Sequence, residues 1–258
     1  MIVRLPTRLS LRLQVEADAA SVAQQVAMHL LEALQAGATL GLATGRTMVP
    51  VYAALRQRLQ ALAPPVREPL LRRWRSFNLD EYVGLGAEHP GSFNRFMAEQ
   101  LGEPLGLPAG ALQLPDGLAA DPQAEAQRYG AAVGAAGGID LQLLGLGSNG
   151  HVGFNEPPCA ADAPCRCLAL SEATRRQNAD AFGGDPAAVP ERAITLGTAE
   201  ILAARQPLLV VTGAAKAEIL RRCLAEPPGP DRPASWLQGH PGLRIVVDAA
   251  AAAALPIS

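Results

Sequence analysis

The stretch Leu143-Leu-Gly-Leu-Gly-Ser-Asn-Gly-His-Val-Gly-Phe-Asn-Glu-Pro157 joins an apolar run to a glycine-rich turn. The apolar run is typical of a buried strand, and the turn carries His151 and, five residues later, Glu156. Open α/β sheets bind their ligands beyond the carboxyl ends of such strands. A histidine and a carboxylate from one turn can form an oriented pair that transfers protons. The stretch therefore predicts an α/β enzyme that acts on a small polar substrate.

The same stretch contains Gly-x-Gly-x-x-Gly, a pattern that also marks dinucleotide-binding turns. A dinucleotide site further requires an acidic residue about 20 residues later, at the end of a second strand. The segment that follows here, residues 157–167, has the composition of a loop. This difference disfavours nucleotide binding.

Length and composition narrow the class of protein. The 258 residues are predicted to form one domain spanning 1–258, and 49% of them are hydrophobic, enough for a large core. A net charge of −2 does not favour binding to nucleic acid or to an anionic membrane. No apolar run approaches the roughly 20 residues of a membrane span, and the first twelve residues do not resemble a secretory signal. We therefore expect a cytoplasmic protein.

Three of the four cysteines lie close together, at positions 159, 165 and 167, and the fourth is Cys223. Zinc sites usually combine a Cys-x-x-Cys pair with a second pair or with histidines at a set distance, and this pattern is not in the sequence. Disulfides are rare in a reducing compartment. We expect free thiols and no metal site.

Strands and helices alternate along the chain, which predicts a doubly wound, Rossmann-like and mainly parallel sheet with helices on both faces. The first helix is predicted to begin at Asp18 or Ser21 and to end at Gly37. Prolines predict a loop at Pro64-Pro65, and a stretch rich in proline and glycine, residues 103–117, precedes the helix from residue 123. The predicted strands cover residues 9–15, 39–43, 74–79, 139–145, 167–170, 208–211 and 243–247. The other predicted helices cover residues 44–59, 92–101, 123–133, 214–224, a segment from 172 and the last alanines.

Two turns between a predicted strand and a predicted helix suit an anion. The turn Thr44-Gly-Arg-Thr47 offers backbone N–H groups, two hydroxyls and the positive end of a helix dipole. The turn Thr212-Gly-Ala-Ala-Lys216 puts a lysine where the dipole disfavours it, which a bound anion would explain. Each turn taken alone is also compatible with an ordinary helix start. The candidate phosphate-binding residues are Thr44, Gly45, Arg46, Thr47 and Lys216.

Two further features suggest acid–base chemistry. The segment Phe77-Asn-Leu-Asp-Glu-Tyr82 puts Asp80 and Glu81 just past a predicted strand, at the expected crevice. An aspartate in such a place often only caps a turn or a helix. An isolated histidine is usually structural, but His151 lies between glycines at the mouth of the sheet, which favours a functional role.

Together these motifs resemble the glucosamine-6-phosphate deaminases, also called glucosamine-6-phosphate isomerases. The pattern Gly-x-Gly-x-Asn-Gly-His-x-Gly-Phe-Asn-Glu-Pro ends at Pro157, and the segments 41–47, 77–85 and 212–216 match the family in the right order. The resemblance covers nearly the whole chain. The related 6-phosphogluconolactonases share the Gly-His turn but not the blocks Phe-Asn-Leu-Asp-Glu-Tyr and Gly-Phe-Asn-Glu-Pro.

The resemblance implies conversion of glucosamine 6-phosphate and water to fructose 6-phosphate and ammonia, without a metal or organic cofactor. It implies that Asp80 moves a proton from carbon 2 to carbon 1 and that His151 assists ring opening with support from Glu156. Lys216 would contact the phosphate. Many family members have Asp where this chain has Asn149, and members with Asn also occur. An amide oxygen can accept an imidazole N–H but cannot stabilise imidazolium as a carboxylate does, a role that would fall to Glu156.

One position departs from the family. Where members usually have an arginine that reaches the phosphate from a mobile lid, this chain has Asp180. Either the lid is built differently, or Arg46, Arg175 or Arg176 replaces the contact. Arg46 itself occupies a position that is usually small in the family.

The departure keeps three alternatives open: another amino-sugar phosphate as substrate, a 6-phosphogluconolactonase-like hydrolase, and a catalytically weakened sugar-phosphate sensor. Retention of Asp80, His151 and Glu156 argues against the sensor. The expected partner is a small sugar phosphate, with no nucleic acid or membrane, and a homo-oligomer is compatible with the sequence.

Overall fold

A computed structural model describes residues 12–256 of the chain. Seven of its strands form one sheet in the order β1-β10-β9-β6-β2-β3-β5, and every neighbouring pair in it is parallel. The strands are β1 (Leu13–Glu16), β2 (Leu40–Leu42), β3 (Ser76–Asn78), β4 (Asp80–Tyr82), β5 (Leu112–Gln113), β6 (Leu141–Gly145), β7 (Arg166–Ala169), β8 (Arg192–Thr195), β9 (Gln206–Val211) and β10 (Arg244–Asp248).

Helices connect most of the strands. They are α1 (Ala19–Gln35), α2 (Met48–Gln60), α3 (Pro64–Arg72), α4 (Phe93–Met97), α5 (Glu103–Leu105), α6 (Pro122–Ala135), α7 (Glu172–Asn178), α8 (Thr198–Ala203), α9 (Ala217–Ala225) and α10 (Ala249–Ala252). A π-helical segment, Ala98–Gly102, follows α4, and 3₁₀ turns cover Ala179–Phe182, Ala214–Lys216 and Pro233–Gly239. Within residues 12–256, no helix has both the length and the apolar character needed to cross a membrane.

The order of the strands reverses between β2 and β6, which lie side by side with Leu40 paired to Leu141. From β2 the chain continues to β3 and β5 on one side, and from β6 it continues to β9 and β10 on the other. Right-handed connections that run in opposite directions put helices on opposite faces of a sheet. The doubly wound prediction is therefore confirmed, and the ligand crevice of such a fold lies beyond the carboxyl ends of β2 and β6.

The sequence pattern of α1 and β6 explains why these segments form. In α1 the side chain of Asp18 accepts the N–H of Ser21 at 2.7 Å, so the helix begins after Asp18. Its apolar residues recur every four positions and are buried. Strand β6 is buried on both faces over residues 141–144, as an apolar run in a parallel sheet requires.

A second sheet of three antiparallel strands, in the order β4-β8-β7, was not predicted. Asp80 lies just past the end of β3, as expected, but it is also the first residue of β4, where it pairs with Thr195 of β8. Three polar or aromatic residues in a row give almost no strand signal, and the partner strand lies far along the chain. Only tertiary pairing therefore makes this segment a strand.

The prediction of a loop at Pro64-Pro65 is wrong, because α3 begins there. Proline has no N–H to donate, but the first turn of a helix does not need one. The proline- and glycine-rich stretch over 103–117 contains α5 and β5. Residues 9–11 of the first predicted strand, and most of the segment judged not to be a secretory signal, lie outside the described residues.

Candidate active site

Two neighbouring carboxylates of β4 have different surroundings, because successive side chains of a strand point to opposite faces. The carboxylate of Glu81 accepts the backbone N–H groups of Tyr82, Phe93 and Asn94 at 2.8, 3.0 and 2.7 Å, and thereby caps the start of α4. Asp80 is only 5% exposed, yet no group within residues 12–256 donates a hydrogen bond to its carboxylate. Glu81 is thus committed to the fold, whereas Asp80 is available for chemistry.

The environment of Asp80 holds its proton near neutral pH. Burial, with a contribution from the charge of Glu81, raises the pKa of Asp80 to about 8. Gly153 lies against the carboxylate, so that a β-carbon there would be 3.4 Å from Oδ2 of Asp80. The carboxyl group is therefore close to the turn that carries His151. A general base is most effective when its pKa is near the working pH.

The imidazole of His151 is held by Asn149. Its Nδ1 lies 2.7 Å from Oδ1 of Asn149, and the backbone N–H of His151 donates to the same atom at 3.2 Å. A backbone N–H can only donate, so the amide atom that faces it is the oxygen. Nδ1 therefore carries the proton of the neutral ring, which leaves Nε2 with a free lone pair. Burial lowers the pKa of His151 to about 4, opposed by the charge of Glu156 and reinforced by that of Lys216.

Glu156 accepts hydrogen bonds from the segment that begins at Ser171 rather than from the histidine. Its carboxylate accepts the backbone N–H and the hydroxyl of Ser171 at 3.0 and 2.7 Å, and also the hydroxyl of Thr174. Burial raises the pKa of Glu156, but these hydrogen bonds outweigh burial and keep its pKa below the usual value. Glu156 is thus ionised, and within residues 12–256 it influences His151 through its charge without a hydrogen bond.

Both predicted phosphate turns lie at carboxyl ends of parallel strands. In the first, Gly45 has a φ of +103°, and the N–H groups of Gly45, Arg46 and Thr47 find no acceptor within residues 12–256. Arg46, Thr47 and Thr212 line one cavity of about 230 Å³, so the two turns approach each other. Free N–H groups in such a turn can bind an anion.

Lys216 ends the second turn. It is half-buried, and burial lowers its pKa, yet in the described part of the chain no carboxylate forms a salt bridge with it. The N–H of Gly213 in the same turn is already bound by the carboxylate of Asp248 at 2.9 Å. In the second turn the side chain of Lys216 is therefore available to bind an anion, whereas the N–H of Gly213 is not.

The lid segment, residues 171–182, contains α7 and the following 3₁₀ turn. Two side-chain contacts join it to the candidate site in addition to those of Glu156. Nη1 of Arg46 lies 2.8 Å from Oδ2 of Asp180, and the hydroxyl of Ser148 donates to Oε1 of Gln177 at 3.0 Å. Asp180 therefore forms an ion pair with the first phosphate turn.

The other two arginines proposed for the phosphate lie elsewhere. Arg175 donates to the carbonyls of Ala187 and Val189, and Arg176 forms an ion pair with Glu172 on the exposed side of α7. Arg46 is therefore the one arginine of the three proposed that lies in a phosphate turn.

The sequence proposed Asp80, Asn149, His151 and Glu156 as catalytic residues, but it did not predict the residues that contact them. Ser171 and Thr174 bind Glu156, and Gly153 leaves space beside Asp80. The sequence around Ser171 signals only a helix cap, because its contact with Glu156 joins segments that are separate in the chain.

The fold and the candidate site define the class: a doubly wound α/β protein whose switch point brings a buried aspartate and a histidine close to two strand-to-helix turns. The model of the family described as glucosamine-6-phosphate isomerases/6-phosphogluconolactonase matches residues 14–245. The chain belongs to this family.

Curated relatives agree with this membership. The chain is 43% identical over 221 residues to the glucosamine-6-phosphate deaminase of Streptomyces coelicolor, covering 86% of this chain and 83% of the relative. It is 40% identical over 247 residues to the glucosamine-6-phosphate deaminase of Rhodopirellula baltica, covering 95% and 96%.

Solved structures show the same fold. A structure described as a monomeric glucosamine-6-phosphate deaminase is 32% identical, with a TM-score of 0.88 over 94% of this chain and 99% of the other. The 6-phosphogluconolactonase of Trypanosoma cruzi has a TM-score of 0.73 over 94% and 96% of the two chains at 19% identity, which supports the fold alone.

Proposed function

We propose that the protein converts glucosamine 6-phosphate and water into fructose 6-phosphate and ammonia. The observation that carries this proposal is the buried carboxylate of Asp80, which has no hydrogen-bond donor within residues 12–256. An amino sugar brings an ammonium group on carbon 2, and a cation at that place favours the carboxylate form of a neighbouring acid. A lactone substrate brings no such charge. The identity to curated deaminases supports the same reaction.

In the first step the cyclic substrate opens. The neutral imidazole of His151 accepts the proton of the hydroxyl on carbon 1 through Nε2 and returns it to the ring oxygen as the bond from carbon 1 to that oxygen breaks. The hydrogen bond of Nδ1 to Asn149 keeps the accepting nitrogen free.

In the second step Asp80 takes the proton from carbon 2 and delivers it to carbon 1. One base that reaches both carbons suffices, and the two carboxylate oxygens suit this task. As carbon 2 becomes an imine, its amino group loses a proton and the oxygen on carbon 1 gains one. Water then adds to carbon 2, and the nitrogen leaves as ammonia while carbon 2 becomes a carbonyl. Glu156 keeps the lid segment in place through Ser171 and Thr174.

The phosphate of the substrate would bind between the two turns. Within residues 12–256, Lys216 has no carboxylate partner, and the turn from Thr44 to Thr47 adds unbonded N–H groups, hydroxyls and the guanidinium of Arg46. Charge-assisted hydrogen bonds of this kind contribute about 1.5–3 kcal/mol each.

We further propose that the chain forms one domain and acts in the cytoplasm on free sugar phosphates. One apolar cluster extends from Val22 to Leu255 across both halves of the parallel sheet, which supports a single domain. The buried thiols of Cys159, Cys165 and Cys223 fit a reducing compartment.

Ammonia release from glucosamine 6-phosphate tests the proposal, with unphosphorylated glucosamine and 6-phosphogluconolactone as comparison substrates. We expect ammonia and fructose 6-phosphate from the first compound and at least a hundredfold lower kcat/KM for the unphosphorylated sugar, as an order of magnitude for two lost charged contacts. Lactone hydrolysis without ammonia release would instead support the hydrolase alternative. Binding of the amino-sugar phosphate without turnover would support the sensor.

A further inference from the structure

The imidazole ring of His151 lies directly over Gly147. A β-carbon at position 147 would overlap Cε1, Nδ1 and Nε2 of the ring. These three atoms are at nearly equal distances from that point, so the ring presents its face to the glycine. The ring therefore occupies the space that a side chain at position 147 would need.

The backbone of Gly147 does not itself require glycine. Its φ is not positive, in contrast to the φ values of Gly150 and Gly153 in the same turn, which are +86° and +57°. An alanine at position 147 would therefore meet no backbone penalty of the kind that applies at those two residues. Space for the imidazole is the remaining reason for a glycine.

The turn holds the ring from two directions. The N–H of Gly147 donates to the carbonyl of His151 at 2.9 Å, and the N–H of Gly150 donates to the carbonyl of Gly147 at 3.1 Å. Asn149 binds the edge of the ring at Nδ1, while Gly147 supports its face. These contacts leave the ring little freedom to rotate.

We propose that Gly147 is a positioning residue for His151: the absent side chain lets the imidazole lie on the backbone with Nε2 directed toward the substrate. This inference rests on the proposed role of His151 in ring opening. A methyl group at position 147 displaces the ring from Asn149 and toward solvent. Misplacement of a reacting group by about 1 Å can cost on the order of 100-fold in rate.

The test compares Gly147→Ala with Gly145→Ala in the full chain. Gly145 precedes the same turn, its φ is not positive, and its β-carbon would make only an ordinary contact of 3.5 Å with Cε of Met48. We expect Gly147→Ala to lower kcat for glucosamine 6-phosphate about 100-fold and to change KM less than about threefold. The pKa of His151, measured by NMR, should rise toward its usual value because the ring becomes exposed. Gly145→Ala should match the wild type in all three measurements.

An unchanged kcat and an unchanged His151 pKa in Gly147→Ala would overturn the proposal. If that variant folds poorly, the same substitution is made together with His151→Ala, which removes the ring. The alanine at 147 should then cost no stability beyond that of His151→Ala alone, and an equal cost in both backgrounds would also overturn it. The NMR titration requires no turnover, so it still tests Gly147 if the wild type releases no ammonia and the proposed function fails.

Discussion

The group formed by Asp80, Gly147 and His151, called here the floor of the site, differs in burial from the lid segment, residues 171–182. Floor groups lie at strand ends, where burial raises the pKa of Asp80 to about 8 and lowers that of His151 to about 4. The ion pair between the lid segment and the first phosphate turn joins side chains that are 85% and 75% exposed. An exposed pair contributes at most about 1 kcal/mol, whereas a buried charge without a partner costs several kcal/mol. Burial, rather than the number of charged contacts, is thus the property that shifts the pKa values of the floor residues.

The largest effect is expected for Asp80→Asn. Asparagine keeps the shape and polarity of the side chain but cannot accept a proton, so exchange of the carbon 2 proton with solvent should fall about 10²–10⁴-fold. Substrate affinity should change only several-fold. NMR exchange in deuterated water measures the first quantity and calorimetry the second, and exchange near the wild-type rate would show that Asp80 is not the base.

Stability should respond in opposite directions at the two neighbouring acids. The pKa of Asp80 is higher in the folded state than in the unfolded state, so its ionisation destabilises the fold progressively as pH rises from about 4 to about 8. Asp80→Asn removes this cost and should raise the melting temperature at pH 8 more than at pH 5. Burial also raises the pKa of Glu81, to about 7, although three backbone N–H groups donate to its carboxylate. Glu81→Gln should lower the melting temperature, because the amide nitrogen that replaces one carboxylate oxygen cannot accept an N–H. Equal shifts in the two variants would contradict the division of roles.

His151→Gln should come next in magnitude, with a loss of about 10²–10³-fold in turnover of the cyclic substrate. Proton exchange during the reverse reaction of fructose 6-phosphate with ammonia, which begins on the open-chain side, should fall much less. Comparison of the two directions by single-turnover kinetics checks this difference. Equal losses at the isomerisation step in both directions would argue against a role in ring opening.

The smallest effects on kinetics are expected for the ion pair between Arg46 and Asp180 of the lid segment. If Arg46 contacts the phosphate, Arg46→Gly should raise KM by about tenfold or more, within the roughly 10- to 150-fold of a charge-assisted hydrogen bond. Asp180→Asn should lower KM, by no more than about fivefold, because it releases Arg46 from an exposed pair. In the Arg46→Gly background, Asp180→Arg should recover part of the lost affinity.

Arg176→Gly is the matched control, since that arginine pairs with Glu172 on the exposed side of the lid segment. It should leave KM unchanged. A change of less than about threefold in Arg46→Gly would mean that Lys216 and the backbone N–H groups hold the phosphate without Arg46.

Sequence patterns alone located the crevice, because the signals that define it are local. An apolar run followed by glycines marks the end of β6, and the same logic marks the ends of β2 and β9. Asp80 and Glu81 were both assigned to the crevice, but the sequence does not distinguish a free carboxylate from a capping one. Their difference depends on the partners of β4 and on the position of α4.

By itself the sequence determined the strands and main helices of the parallel sheet and the candidate residues at its carboxyl edge, because periodicity and turn chemistry act between near neighbours. It did not predict the antiparallel sheet or α3. Only the tertiary structure decided that Glu156 binds Ser171 and Thr174, that Arg46 meets Asp180 and that the ring of His151 lies on Gly147. The first two contacts join segments far apart in the chain. The third depends on the backbone conformation of a glycine-rich turn. Because glycine adopts many backbone conformations, the sequence does not specify this one, and the surrounding structure determines it.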